Sequence, residues 1–174
     1  MLPLKKYAVI PLIIAILAFV IQSLDQFLSP YLQPEGNVGF SWISFQSWGL
    51  YFLAGCNLKG GIKSFLGYAV GIIAAILIME TANLATPIGF WAVPAAVAII
   101  AFFAIFLERT VWLSLLPAIF IGAGVFFGFM NYIPGATYCN AFISEMIYAT
   151  IGLLFGFITV VLRTKYENSL KINS

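Results

Sequence analysis

Apolar residues run along the chain in six long stretches, at about 7–28, 39–56, 62–83, 88–107, 111–129 and 140–162, with short polar breaks between them. Each is long enough to cross, or nearly cross, the ~30 Å hydrocarbon layer of a bilayer as a helix. The pattern predicts an all-α polytopic membrane protein with six transmembrane helices, a single domain over 1–174. The second and fifth stretches are the shortest and most broken. They read as steeply set or partly re-entrant helices, which lipid tolerates only where protein surrounds them.

Charge orients these spans. Lys5 and Lys6 precede the first stretch, Lys59 and Lys63 lie between the second and third, and Arg109 lies between the fourth and fifth. Arg163, Lys165 and Lys171 follow the sixth. Six spans put all eight basic residues on one side, and the connections around 29–38, 84–87 and 130–139 carry none. The positive-inside rule then places both termini, with the tail over 163–174, in the cytoplasm. The start, "MLPLKKYAVIPLIIAILAFVIQ", begins like a secretory signal, but no small-x-small cleavage site follows before Asp25. Its apolar run of about 20 residues also exceeds a signal core, so it is expected to stay as the first span.

Composition adds what the protein is not. Of its 174 residues 63% are hydrophobic and 8% charged, against about 25% charged in soluble domains, so the expected solvent is lipid. A net charge of +2 is too small to suggest nucleic acid. There is no histidine, and Cys56 and Cys139 are far apart, which removes the usual metal and redox signatures. No metal, no cofactor and no enzymatic activity are expected, since no nucleophile–base pair, paired aspartates or ligand cluster is present.

The stretches also repeat. The first spells "AVIPLIIAILAF" at 8–19 and the fourth "WAVPAAVAIIAF" at 91–102. At a shift of 83, Pro11/Pro94, Ala15/Ala98, Ile16/Ile99, Ala18/Ala101 and Phe19/Phe102 coincide, and Asp25 falls on Glu108. The third and sixth align at a shift of 85 through Gly67/Gly152 and Gly71/Gly156. The second and fifth align at 73 through Gly49/Gly122 and Gly55/Gly128. Three ordered pairs predict a 3+3 repeat, about 7–83 and 88–162. Because three is odd, the second half enters the membrane from the opposite side. That is the inverted topology many transporters use, with the solute site near the midplane where the halves meet.

Three sets of residues are candidates for chemistry. Gly67, Gly71, Gly122, Gly124, Gly128, Gly152 and Gly156 stand at four-residue spacings that either let helices pack closely or line a narrow conduit. Asp25, Glu80 and Glu145 are expected near the outer face. Either they converge as an acidic outer mouth for cationic or protonatable solutes, or each merely reaches the interface. Glu145 shares the face of Gly152 and Gly156. The second stretch is the most polar, with Ser41, Ser44, Trp48 and Tyr51 along one side and Gln46 and Ser47 nearby. Ser44, Gln46, Ser47, Tyr51, Gly122 and Glu145 are the candidate transport path, the alternative being plain interhelical hydrogen bonding. Pro117 either frees a carbonyl near Leu113 or marks the first turn of a shorter helix from about Leu116.

The segments "YFLAGCNLKGGIKSFLGYAVG" (51–71) and "LLPAIFIGAGVFFG" (115–128) resemble the YcdZ-like family of small bacterial inner-membrane proteins, domain of unknown function 1097. The likeness lies in an aromatic helix running into Gly60-Gly61-Ile62-Lys63 and in a proline-led, glycine-rich helix from Pro117 to Gly128. The chain departs from it in a longer first loop, with Pro30 and Pro34, and in "NYIPGATYCN". The resemblance implies a multi-span protein of the bacterial inner membrane and no activity. The residues themselves favour a channel or facilitator for a small neutral, cationic or protonatable solute, passive or ion-coupled, working as a homo-oligomer in the lipid bilayer. The alternatives are a substrate-binding membrane subunit of a vitamin-type importer and a structural or assembly protein without a pore.

Overall fold

The computed structural model describes residues 3–32 and 34–172, and every regular element among them is helical. A short turn, Leu4–Tyr7, leads into α1 (Val9–Leu28). There follow α2 (Ser41–Leu53), α3 (Leu58–Leu84), α4 (Ala92–Ile105), α5 (Leu116–Tyr132) and α6 (Tyr138–Ile172). Four helical segments are long and apolar enough to cross a membrane: Leu4–Tyr31, Leu58–Leu84, Thr86–Arg109 and Tyr138–Lys171. α5 is a shorter apolar helix. α2, at 13 residues, reaches only roughly 20 Å. Thus four of the six expected stretches have full spanning length, and the two expected to be short are short.

Prolines mark where helices begin. Pro11 is the third residue of α1 and Pro94 the third of α4. At Pro11 the missing N–H interrupts the helical run Leu4–Tyr31 just after its first turn, Leu4–Tyr7. Pro117 is the second residue of α5, so of the two readings of it the structure takes the shorter helix. The α2–α3 turn is tight. Gly55 and Cys56 both have positive φ, and Asn57 caps α3 by accepting from the Gly60 amide at 2.9 Å.

Two crossings hold the bundle. At the first, α6 runs against α2. A Cβ on Gly152 would lie 2.0 Å from Ser47 Oγ and 2.1 Å from the Ser44 carbonyl, and one on Gly156 would lie 2.6 Å from Tyr51 Cβ. At the second, α3 runs against α5. A Cβ on Gly67 would lie 2.6 Å from Ala118 Cβ and 3.5 Å from the Leu115 carbonyl. One on Gly71 would lie 2.2 Å from the Ile119 carbonyl, and one on Gly122 would lie 2.4 Å from the Tyr68 carbonyl. These glycines let backbones approach as any side chain would not. One pair of contacts corresponds: a shift of 85 carries Gly67 onto Gly152, and a shift of 71 carries Ser44 and Ser47 onto Leu115 and Ala118. Gly71 instead meets Ile119 and Ala123, whereas Gly156 meets Tyr51. Gly49 faces open space while Gly122 is packed.

The core between the crossings contains Phe40, Ile43, Leu50, Tyr68, Ile72, Phe126, Phe129 and Tyr148. α1 joins it through one stripe, Ile10, Leu17, Ile21 and Asp25, with Leu17 and Ile21 packed beside Trp48 and Phe155. α4 buries only Ala92 and Ala96. Basic groups gather at one end. The Tyr166 hydroxyl donates to the Lys6 carbonyl at 2.6 Å, and Lys63 Nζ donates to Ser114 Oγ at 2.8 Å.

Candidate functional site

One face of α6 stays inside the bundle for about three turns. Ala141, Ser144, Glu145, Tyr148, Ala149 and Gly152 recur on it at three- and four-residue spacing, all buried. Glu145 is 0% exposed, and neither of its carboxyl oxygens has a hydrogen-bond partner. The Tyr68 hydroxyl, from α3, is equally sealed and equally without a partner, and it lies within electrostatic reach of Glu145. An acid at the centre of an apolar helix costs about 3 kcal/mol to insert. Two bare buried polar groups within electrostatic reach of one another are what a core built only for stability avoids.

Asp25 is buried as well, but it is saturated. It accepts from the Phe40 amide at 2.9 Å, from the Tyr148 hydroxyl and, at 3.4 Å, from Gln22 Nε2. Phe40 immediately precedes α2, so this carboxylate from α1 sits at the N-terminus of α2, where unpaired amides favour negative charge. Gly39 makes room for it: φ is +101°, and a Cβ would fall 2.3 Å from Asp25 Oδ2. Asn37 shapes the loop that delivers Gly39. Its amide nitrogen donates to the carbonyls of Ser29, Leu32 and Pro34, and its Oδ1 accepts from the Gly39 amide at 2.7 Å.

A cavity of about 290 Å³ opens over this loop, between Pro34, Asn37, Gly39, Tyr132 and Pro134, with Phe40 in its lining. Phe40 is fully buried, and its ring stands 4.7 Å from Phe129 and 5.7 Å from Tyr148. Tyr148 is less than one turn along α6 from Glu145. Phe40 thus joins the cavity to an aromatic cluster whose Tyr148 shares the buried face of α6 with Glu145.

The other expected residues fall as follows. Ser44 Oγ donates to the Tyr148 carbonyl at 2.7 Å, and Ser47 Oγ bonds carbonyls of its own helix, Ile43 and Ser44. Trp48 Nε1 donates to Thr159 Oγ1 at 3.0 Å. Tyr51 and Gly122 are packed in the two crossings. Gln46 is exposed, in an open groove between α2 and α5 that Gly49 and Gly124 also line. A Cβ on Gly124 or Gly128 would meet nothing within 4 Å. Glu80 is exposed and accepts from the Tyr138 hydroxyl at 2.7 Å. The three acids do not line one open mouth: Asp25 and Glu145 are sealed inside, because each lies on the buried stripe of its helix. Tyr68, Tyr148, Phe40 and Asn37 were not singled out from sequence. For Asn37 a signal existed, an Asn among Gly and Pro in a loop.

A family described as protein of unknown function (DUF1097) matches the chain over residues 11–164. No curated protein and no solved structure matches it.

Proposed function

We propose that this chain, which belongs to the family of proteins of unknown function DUF1097, is a facilitator that moves a small cationic or protonatable solute across a membrane. The observation that carries this reading is the bare Glu145 carboxyl in the core, with the equally bare Tyr68 hydroxyl within its electrostatic reach. An intramembrane acid without a partner is costly and is expected to meet one during function. The solute enters from the cavity that Phe40 lines, displaces the aromatic cluster around that ring, and binds between Glu145 and Tyr68.

The same reading takes the fold as six spans in a 3+3 inverted repeat, with α2 and α5 as short spans and both termini on the basic, cytoplasmic side. The matching contacts of Gly67 and Gly152 support it, as does the position of Pro11 and Pro94 at the third residue of α1 and α4. In such a fold the site belongs at the meeting of the halves, and Tyr68 and Glu145 come one from each. The two cysteines, both exposed and unpaired, test the topology without mutation. A membrane-impermeant thiol reagent added to right-side-out vesicles should label Cys139 and spare Cys56 until the vesicles are opened; the reverse order would invert the protein.

For the function, purified protein in liposomes is assayed by tracer entry and swelling with a panel of small neutral and cationic solutes. Wild type should admit at least one cationic or protonatable solute. Glu145→Gln should slow that entry at least about tenfold, a loss of some 1.4 kcal/mol of solute or barrier stabilisation, and Tyr68→Phe should slow it less. Protein-free rates with every solute would end the proposal. Tight binding of one metabolite with no entry would favour the importer-subunit alternative.

A further inference from the structure

Each half of the bundle leaves one groove beside its first helix, and the two grooves are lined at corresponding places by different chemistry. The groove between α3, α4 and α5 is bounded by Ala74, Ile78, Val97, Ala123 and Phe127. The groove between α1, the end of α2 and α6 is a cavity of about 320 Å³. Where the first has those five residues, the second has Thr159, Arg163, Ile14, Phe52 and Cys56. The shifts that carry one lining onto the other are 85 for α3 onto α6, 83 for α1 onto α4 and 71 for α2 onto α5. Two of these shifts also relate the crossings, and the third relates the two proline-led helices. The same framework has thus been lined once with apolar residues throughout and once with a polar end.

We propose that the α1/α6 groove binds one anionic phospholipid of the leaflet at the basic end, with an acyl chain along Ile10, Ile14 and Val160 and its phosphate on Arg163. The lining grades from that apolar wall to Arg163, Thr164 and Glu167. Arg163 is half-exposed and uses only Nε to hold Glu167, at 2.8 Å. The terminal nitrogens of its fork remain for phosphate oxygens, the planar arrangement that suits bidentate capture. Thr164, exposed beside it, has no hydrogen-bond partner for its hydroxyl among the described residues and adds a donor. Charge around the groove is complementary to an anion. Glu167 offsets Arg163, but Lys5 and Lys6 stand over the same end, held there by the Tyr166–Lys6 hydrogen bond at 2.6 Å. Lys59 follows Cys56 by three residues at the start of α3. Basic pockets between spans on the cytoplasmic side are the sites where anionic head groups bind. A free phosphate would leave the apolar wall uncovered, whereas a lipid covers both parts.

The test is lipid retention by the full chain. Protein solubilised from membranes containing phosphatidylglycerol and phosphatidylcholine in equal amounts is delipidated stepwise and weighed by native mass spectrometry. Wild type should retain one phosphatidylglycerol per chain after phosphatidylcholine has gone. Arg163→Gln should lower that retention at least about fivefold, and Arg163→Lys should restore part of it; circular dichroism confirms that each variant is folded. Equal retention of the two lipids by wild type, or undiminished phosphatidylglycerol on Arg163→Gln, would overturn the proposal. Neither variant touches Glu145 or Tyr68, so solute entry and lipid retention fail separately.

Discussion

At the α2/α6 crossing, Gly152 lies under the Ser44 carbonyl and Ser47; at the α3/α5 crossing, Gly67 lies under the Leu115 carbonyl and Ala118. The first is surrounded by polar links: Ser44 to the Tyr148 carbonyl, Trp48 to Thr159, and Tyr148 to Asp25. Among the described residues the second shows none of these, and the side-chain hydrogen bond beside it is Lys63 to Ser114 at the basic end. Since the apolar crossing closes as tightly, glycine alone suffices for close approach, and the hydroxyls of α2 serve something else. Interhelical hydrogen bonds in lipid average only about 0.6 kcal/mol, too little to justify them as glue. Two of the links, from Ser44 and Asp25, end on Tyr148, three residues from Glu145. They fix the rotation of α6, and with it the inward aim of the bare carboxyl.

The sharpest way to break this comparison is to put a methyl group into each crossing. In Gly152→Ala the new atom meets the Ser44 carbonyl at 2.1 Å, and a backbone oxygen cannot step aside. Overpacking of this kind costs about 1–3 kcal/mol and occasionally more, and this variant should sit at the top of that range. Gly67→Ala meets the Ala118 methyl at 2.6 Å and a carbonyl only at 3.5 Å, so it should cost less. Thermal melting of both in detergent decides it; equal losses would mean that the two crossings are equally rigid.

Next in size is Asp25→Ala, which strands the Phe40 amide and the Tyr148 hydroxyl together. Each buried orphan costs about 1–3 kcal/mol, and water reaching the loop should hold the total near ~2 kcal/mol. Ser114→Ala, at the corresponding basic corner, loses only a part-buried bond to a lysine and should stay within about 0.5 kcal/mol. If Asp25→Ala melts like wild type, the polar corner is decoration and the rotation of α6 is set by packing alone.

Much of this was legible from the residues. The four-residue spacing of Gly67 and Gly71, and of Gly152 and Gly156, announces close-packing helix faces, and each set lies in a crossing. Glu145 could be placed on the buried face for the same reason. The register of α2 against α5 could not be read. The shared identity of Gly49 and Gly122 says nothing of packing: Gly49 faces open space, whereas Gly122 lies under the Tyr68 carbonyl. The nearness of Tyr68 to Glu145 was illegible too, because it depends on how α6 is rotated, and that rotation depends on the bond of Tyr148 to Asp25. The decisive contact, Tyr148 to Asp25, joins residues more than a hundred positions apart, and no local pattern announces it.

The smallest effect is expected at the glycines that belong to neither crossing. On a single chain, Gly124→Ala and Gly128→Ala add a methyl where nothing lies within 4 Å. They should leave melting unchanged or raise it by up to about 1 kcal/mol, since alanine is the better helix former. Gly128→Leu carries the comparison outward. If a second copy packs there by the same close approach that Gly67 and Gly152 allow inside, leucine should hold the copies apart. The mass measured by light scattering should then fall to that of one chain while the fold survives. An unchanged mass would place that face against lipid and confine backbone-close packing to the two crossings within the chain.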